Sequence, residues 1–151
     1  MKIGEFLQQQ KVRFDRLPHP ATFDAQRMAH VLHVPGREVA KTVLLRCRED
    51  RYVIAVLPAT KSIDLKRVSQ ALGGALLELA TTIEIGEHCP DCEIGALPPF
   101  GSRYGMKTIV DEGLTSDEEI VFEGNTHHEA FRMQFKDYRR IEKPIVADFA
   151  H

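Results

Sequence analysis

The stretch VAKTVLLRC (Val39–Cys47), followed by REDR (Arg48–Arg51) and YVIAVLPA (Tyr52–Ala59), decides how the rest of the chain is read. Two apolar, β-branched runs joined by a short polar connection predict a β-hairpin. The second run is apolar on both faces, which suits a strand covered on both sides at the centre of a sheet. Toward the N-terminus, Ile3, Phe6 and Leu7 recur at helical spacing over residues 2–10, as do Phe23, Met28, Ala29 and Leu32 over 22–32. Between these helices VRFDRLPHPA alternates and then stops at two prolines, as an edge strand does. Pro35-Gly36 closes the second helix.

Toward the C-terminus, Asp64 caps a predicted helix through Leu72 that Gly73-Gly74 ends, and LLELA follows as a strand. Thr81 and Glu84 stand at capping-box spacing for a short helix. MKTIVD, EEIVFEG and AFRMQF read as three further strands, and KDYRRIEK as a closing helix. Helices and strands are interspersed, and several strand connections are short enough for antiparallel pairing. No linker or repeat interrupts them, so residues 1–151 are expected to form one mixed domain of helices and strands.

A chain of 151 residues buries enough surface to hold a core without staples. Three cysteines, Cys47, Cys89 and Cys92, are too few for a disulfide scaffold and fit a reducing compartment. The start MKIGEFLQQQ has no basic region leading into an apolar signal core, and no apolar run is long enough for a membrane helix. A cytoplasmic protein without a membrane partner is expected. The formal net charge of −2 argues against a protein that coats DNA through an overall positive field, and leaves room for a local contact with an RNA end.

The most visible motif is HCPDC, His88–Cys92. A redox pair needs one thiol of lowered pKa, yet Asp91 and Glu93 are negative neighbours that raise it. Zinc needs about four ligands, and no second C-x-x-C supplies them. The pair therefore reads as a helix-to-loop junction, with Cys92 and Glu93 only leading into the next loop, and neither metal nor cofactor is expected.

Strand alternation places Lys41 with Val43, Leu45 and Cys47 on a mainly apolar face. Such a lysine is either snorkelling from a strand end or a cation held at a pocket mouth, where a phosphate or developing negative charge would meet it. His127 shares the parity of Phe131 and Met133 and so points inward, whereas His128 points outward. Surface turn histidines are the competing reading. The loop GALPPFG comprises Gly95, Ala96, Leu97, Pro98, Pro99, Phe100 and Gly101. It lacks both phosphate-loop and dinucleotide glycine patterns, and can build a stiff turn whose backbone faces a ligand.

In their order, VAKTVLL, YVIAVLPA, CEIGALPPFG, GNTHHEAFRM and KDY resemble the YbaK/prolyl-tRNA-synthetase-associated editing domain family over nearly the whole chain. The resemblance implies an α+β fold with a single mixed, largely antiparallel, barrel-like sheet flanked by helices. It implies hydrolysis of a small amino acid such as alanine or cysteine from mischarged tRNA, most often tRNA for proline, with prolyl-tRNA synthetase as a possible partner. The alternative is a non-catalytic tRNA- or synthetase-binding module of the same fold.

The family lysine falls on Lys41, its G-x-x-x-P loop on Gly95–Pro99 and its histidine on the GNTHH turn, where inward parity selects His127 over His128. By that analogy Lys41 engages the phosphate or ribose of the terminal adenosine, the loop grips the amino acid, and His127 shapes the pocket. Ala96, Leu97 and Phe100 are expected to wall it. Arg46, Arg48 and Arg51, or Lys136, Arg139, Arg140 and Lys143, are candidates to touch the acceptor stem.

Overall fold

The computed structural model describes residues 2–22 and 24–151. In chain order its elements are helix α1 (Ile3–Gln9), strand β1 (Phe14–Pro18), helix α2 (Ala25–Leu32), strands β2 (Ala40–Cys47) and β3 (Arg51–Pro58), helix α3 (Leu65–Ala71) and strand β4 (Leu77–Leu79). Helix α4 (Thr82–His88), strands β5 (Lys107–Asp111), β6 (Glu119–Glu123) and β7 (Glu129–Gln134), helix α5 (Phe135–Glu142) and strand β8 (Ile145–Ala147) follow. Phe23, assigned by its spacing to the second helix, lies outside the described residues. None of the described helices is long and apolar enough to cross a membrane.

The hairpin forms as expected, antiparallel from Ala40 opposite Pro58 to Cys47 opposite Arg51. β3 lies at the centre of a five-stranded sheet of order β4-β2-β3-β5-β8, with Val53 to Leu57 all buried. Its two faces feed two cores. Ile54 and Val56 join a cluster with Phe100, Phe122 and Tyr138, and Val53, Ala55 and Leu57 pack with Val68 and Phe149.

The remaining strands form a second, antiparallel sheet of order β1-β7-β6, in which β1 is the expected edge strand. The mixed, largely antiparallel character holds, but the single barrel-like sheet is corrected to two sheets, neither closed. They are joined by one isolated parallel bridge, between Val39 and Val121. β5 pairs parallel with both β3 and β8. The first of these pairings is allowed because the chain from β3 to β5 passes through α3, β4 and α4, ample length for a crossover. β8 was not anticipated: three residues are too few to show a period.

Local capping follows the sequence. Asp64 accepts from the N–H groups of Lys66 and Arg67, and Thr81 and Glu84 complete a reciprocal capping box at 3.1 and 3.0 Å. α2 starts at Ala25 rather than Thr22 because Asp24 is its cap, accepting from Arg27 N–H at 2.7 Å. Gly124, just after β6, lies against Phe131 so closely that a Cβ would overlap its ring.

The cysteine pair sits where α4 runs into the loop. Cys89 caps α4 and is wholly buried; Cys92 Sγ lies 3.0 Å from Tyr104 Oη and accepts from Asn125 Nδ2 at 3.3 Å. Burial first, then the charges of Cys92 and Asp91, push the Cys89 thiol up to about 12. Burial likewise leads the rise of Cys92 to about 11, with Asp91 adding to it. Desolvation leads both rises, and the negative neighbour that adds to them is Asp91 rather than Glu93. Among the described residues no group of three His, Cys, Asp or Glu side chains could hold a metal ion.

Two measurements follow. At pH 8, three units below its value of about 11, Cys92 should be about one part in a thousand thiolate. Alkylation followed by mass spectrometry should then be slow for both Cys89 and Cys92 and accelerate steeply only toward pH 11. Gly124→Ala should destabilise the protein by about 1–3 kcal/mol through overpacking against Phe131, read from urea unfolding.

Candidate active site

The loop after Cys92 begins with a tight turn. Ala96 N–H donates to Glu93 O at 3.0 Å, and Gly95 takes φ +87°, the left-handed value that a type II turn requires at its third position. The turn is tied to the connection between β6 and β7. Glu93 N–H donates to Asn125 O at 2.7 Å, and Asn125 N–H donates to Ala96 O at 3.0 Å. Asn125 itself is buried with φ +75°, and its Oδ1 accepts from Ile3 N–H at 2.9 Å. Asparagine is among the few side chains that tolerate that backbone.

The second half of the loop is anchored in the core. Tyr138 Oη donates to Pro99 O at 2.7 Å, and Gly101 N–H donates to Thr108 Oγ1 at 2.9 Å. Phe100 has no exposed surface and packs edge-on against Phe6, Phe122 and Tyr138. The Phe100 ring, expected as a pocket wall, is packed into the core and fastens the loop from behind, as buried there as Ala96. Ile94 O and Gly95 are the part that meets the histidine.

His127 is 5% exposed and His128 is exposed, as strand parity anticipated. His127 Nε2 lies 2.6 Å from Ile94 O, its Nδ1 lies 3.3 Å from Glu123 Oε2, and its backbone N–H donates to Glu93 Oε2 at 3.3 Å. Glu93 thus does more than lead into the loop. Gly95 rests on the imidazole, where a Cβ would stand 3.2 Å from Cε1. In a trans peptide the C=O and N–H point opposite ways. With Ile94 O turned to His127 and Ala96 O turned to Asn125, the N–H groups of Gly95 and Leu97 are directed away from those partners, and neither makes a hydrogen bond to a described residue.

Three residues that sequence reasoning missed complete the arrangement: Asn125, Glu123 and His19. His19 Nε2 is 2.8 Å from Glu123 Oε1, its Nδ1 is 2.7 Å from Pro20 O, and its backbone N–H donates to His128 O at 2.9 Å. Burial pushes the Glu123 carboxyl above the usual carboxylate range, against the lowering pull of His19 and His127.

Lys41 is half-buried near the start of β2, two residues beyond the Val39–Val121 bridge. Glu123 stands two residues beyond the same bridge on the parallel neighbour, so the two occupy corresponding positions. Lys41 forms no ion pair or hydrogen bond with a described residue, and its partial desolvation lowers its pKa from the ordinary value. The buried hydroxyl of Thr42 beside it, and that of Thr22, whose N–H donates to His127 O at 3.4 Å, also have no hydrogen-bond partner among the described residues. Buried polar atoms are ordinarily paired, so these two hydroxyls are exceptions among the described residues.

Two surface clefts lie beside rather than within this cluster. One, of about 760 Å³, is at the β2–β3 turn and includes Arg48, Arg51 and Lys107. The other, of about 870 Å³, runs from Pro20 to Thr22 along α2. Arg46 is engaged by Glu78 and Glu84, whereas Lys136, Arg139 and Lys143 are exposed on or beside α5, the helix whose Tyr138 holds the loop.

A family model described as the aminoacyl-tRNA editing domain matches residues 19–141. The chain is 25% identical over 152 residues to the multifunctional Ser/Thr-tRNA deacylase ProXp-y of Escherichia coli K12, covering 98% of this chain and 90% of that protein. It is 25% identical over 130 residues to a proline–tRNA ligase of Thermosipho africanus, covering 86% of this chain and 21% of the ligase. In fold it resembles the crystal structure of the hypothetical protein APE2540, with a TM-score of 0.90 at 19% identity and 99% coverage of both chains. It also resembles that of a candidate trans-editing enzyme for prolyl tRNA synthetase, with a TM-score of 0.85 at 22% identity, covering 99% of this chain and 94% of the other. The match runs from His19 through nearly all of α5 and takes in Lys41, the Gly95 turn and His127: the chain belongs to the aminoacyl-tRNA editing domain family.

Proposed function

We propose that this editing domain, an aminoacyl-tRNA hydrolase by family, releases a small amino acid from mischarged tRNA at the turn formed by Gly95, Ala96 and Leu97, with Lys41 as the cation that receives the tRNA end. The observation that carries the reading is the pair of unpaired backbone N–H groups, of Gly95 and Leu97, on a loop clamped from both sides. Hydrolysis of an aminoacyl ester turns a carbonyl oxygen negative as water attacks, and preorganised N–H donors stabilise that charge.

The remaining roles follow from what each group has free. Both ring nitrogens of His127 face acceptors, so His127 shapes and orients the loop rather than serving as a free base. Lys41, partly buried and unpaired, has its ammonium available to a phosphate or ribose oxygen of the terminal adenosine. A ribose hydroxyl of that adenosine then assists the water. Ala96 and Leu97, apolar and buried beside Gly95, leave little room there, so the site admits small side chains and excludes larger ones by shape.

The acceptor stem approaches along the exposed cations of α5, and binding is weak and salt-sensitive because the net charge is negative. Residues 1–151 act as one unit, on tRNA for proline among others and with prolyl-tRNA synthetase as a possible partner. Alanine and cysteine are the first substrates to test. The name of the Escherichia coli relative adds serine and threonine to the panel.

Purified protein offered tRNAs charged with these four amino acids should release at least one. Lys41→Ala should abolish release, and Gly95→Ala, strained at φ +87°, should lower kcat by roughly 10²- to 10³-fold. A folded protein inactive on the whole panel, with tRNA binding indifferent to Lys41→Ala, would replace this reading with a non-catalytic tRNA- or synthetase-binding module.

A further inference from the structure

We infer that His19 and Glu123 are positioning residues of this site: they hold the His127 ring in the orientation that keeps the Ile94 carbonyl on it and turns the Gly95 N–H toward the substrate. The inference rests on the proposed role of that N–H.

The contacts form one line. Pro20 O meets His19 Nδ1 at 2.7 Å, His19 Nε2 meets Glu123 Oε1 at 2.8 Å, Glu123 Oε2 meets His127 Nδ1 at 3.3 Å, and His127 Nε2 meets Ile94 O at 2.6 Å. A carbonyl oxygen only accepts, so the hydrogens at the two ends sit on Nδ1 of His19 and Nε2 of His127. A carboxyl brings at most one hydrogen to the two inner contacts, so at least one of the imidazoles also turns an N–H toward Glu123, whose place between both inner nitrogens fixes which nitrogen of His127 is turned to the loop.

The backbone braces the same line. His19 N–H donates to His128 O and Thr22 N–H to His127 O, so the 19–22 segment grips the residue whose ring it orients. The His19 side chain has no exposed surface and that of Glu123 only 12%. A carboxyl buried between two imidazoles is costly to desolvate, and apolar residues of like volume often stabilise such a place as well or better. Stability alone therefore does not account for it, whereas the direction of one peptide group does. A shift of that peptide by about 1 Å would cost roughly a hundredfold in rate.

Glu123→Gln keeps the shape and replaces one acceptor with a donor. For an aminoacyl-tRNA that the wild type hydrolyses, kcat should fall about ten- to hundredfold while KM stays within about threefold. In a His127→Ala background the same substitution should have no further effect. Nitrogen-15 spectra of the wild-type imidazoles should show a hydrogen on Nε2 of His127 and one on Nδ1 of His19, with at least one ring also carrying a hydrogen toward Glu123. Wild-type kcat in Glu123→Gln, losses that add fully to those of His127→Ala, or a His127 with its hydrogen on Nδ1 alone would each overturn the inference. Should Glu123→Gln fail to fold, His19→Gln is read by the same kcat, KM and double-variant criteria. A wild type inactive on every aminoacyl-tRNA would reject the proposed function, while the nitrogen spectrum would still decide the tautomer.

Discussion

The backbone of Asn125 holds the two halves of the site in one frame. Its carbonyl receives Glu93 N–H and its own N–H reaches Ala96 O, so the turn at Gly95 is laced to the end of the second sheet by main-chain bonds that do not depend on any long side chain. Pairing at this point is possible only because Asn125 takes a left-handed backbone and Gly124 before it lets Phe131 close against the chain. The same connection then delivers His127 beneath Gly95. Loop, histidine and sheet end therefore share one set of constraints.

The gap between the sheets supplies the other half of the arrangement. β2 and β6 run in the same direction, touch at Val39 and Val121 and do not continue as a ladder beyond that bridge. Had they paired further, one barrel-like sheet would have formed and the positions of Lys41 and Glu123 would have been interior ladder residues. Because the ladder stops, a cation and a carboxyl are left at matching heights where the sheets part. The correction to the expected sheet thus concerns the place where the candidate residues Lys41 and Glu123 lie.

What was legible in the sequence was whatever depends on local pattern. The hairpin, the double-faced β3, the Asp64 cap, the Thr81 and Glu84 box and the inward parity of His127 each follow from neighbours within a few residues. What was not legible depends on long-range pairing. Glu123 ends an apolar run in which both faces are buried, so alternation assigns it no side, and its partner His19 lies 104 residues away behind two prolines. Asn125 shows no pattern because its work is done by its backbone. The packing of Phe100 was hidden for the same reason: nothing local shows that Tyr138 and Phe6 close on the ring.

On the proposed reading the donors are main-chain groups, which has a consequence for how the site would discriminate. Ser-His-Asp or Cys-His chemistry depends on side chains whose replacement removes the reaction. In this turn, Pro99 and Phe100 are fastened from behind and Ile94 O and Ala96 O from the side, so the direction of the free N–H groups is set by the bonds of other atoms in the same peptides. Side chains of the turn can then vary in size without removing a donor. Under the proposed function, recognition of the amino acid would be free to drift by shape alone, while stabilisation of the developing oxyanion would stay with the backbone.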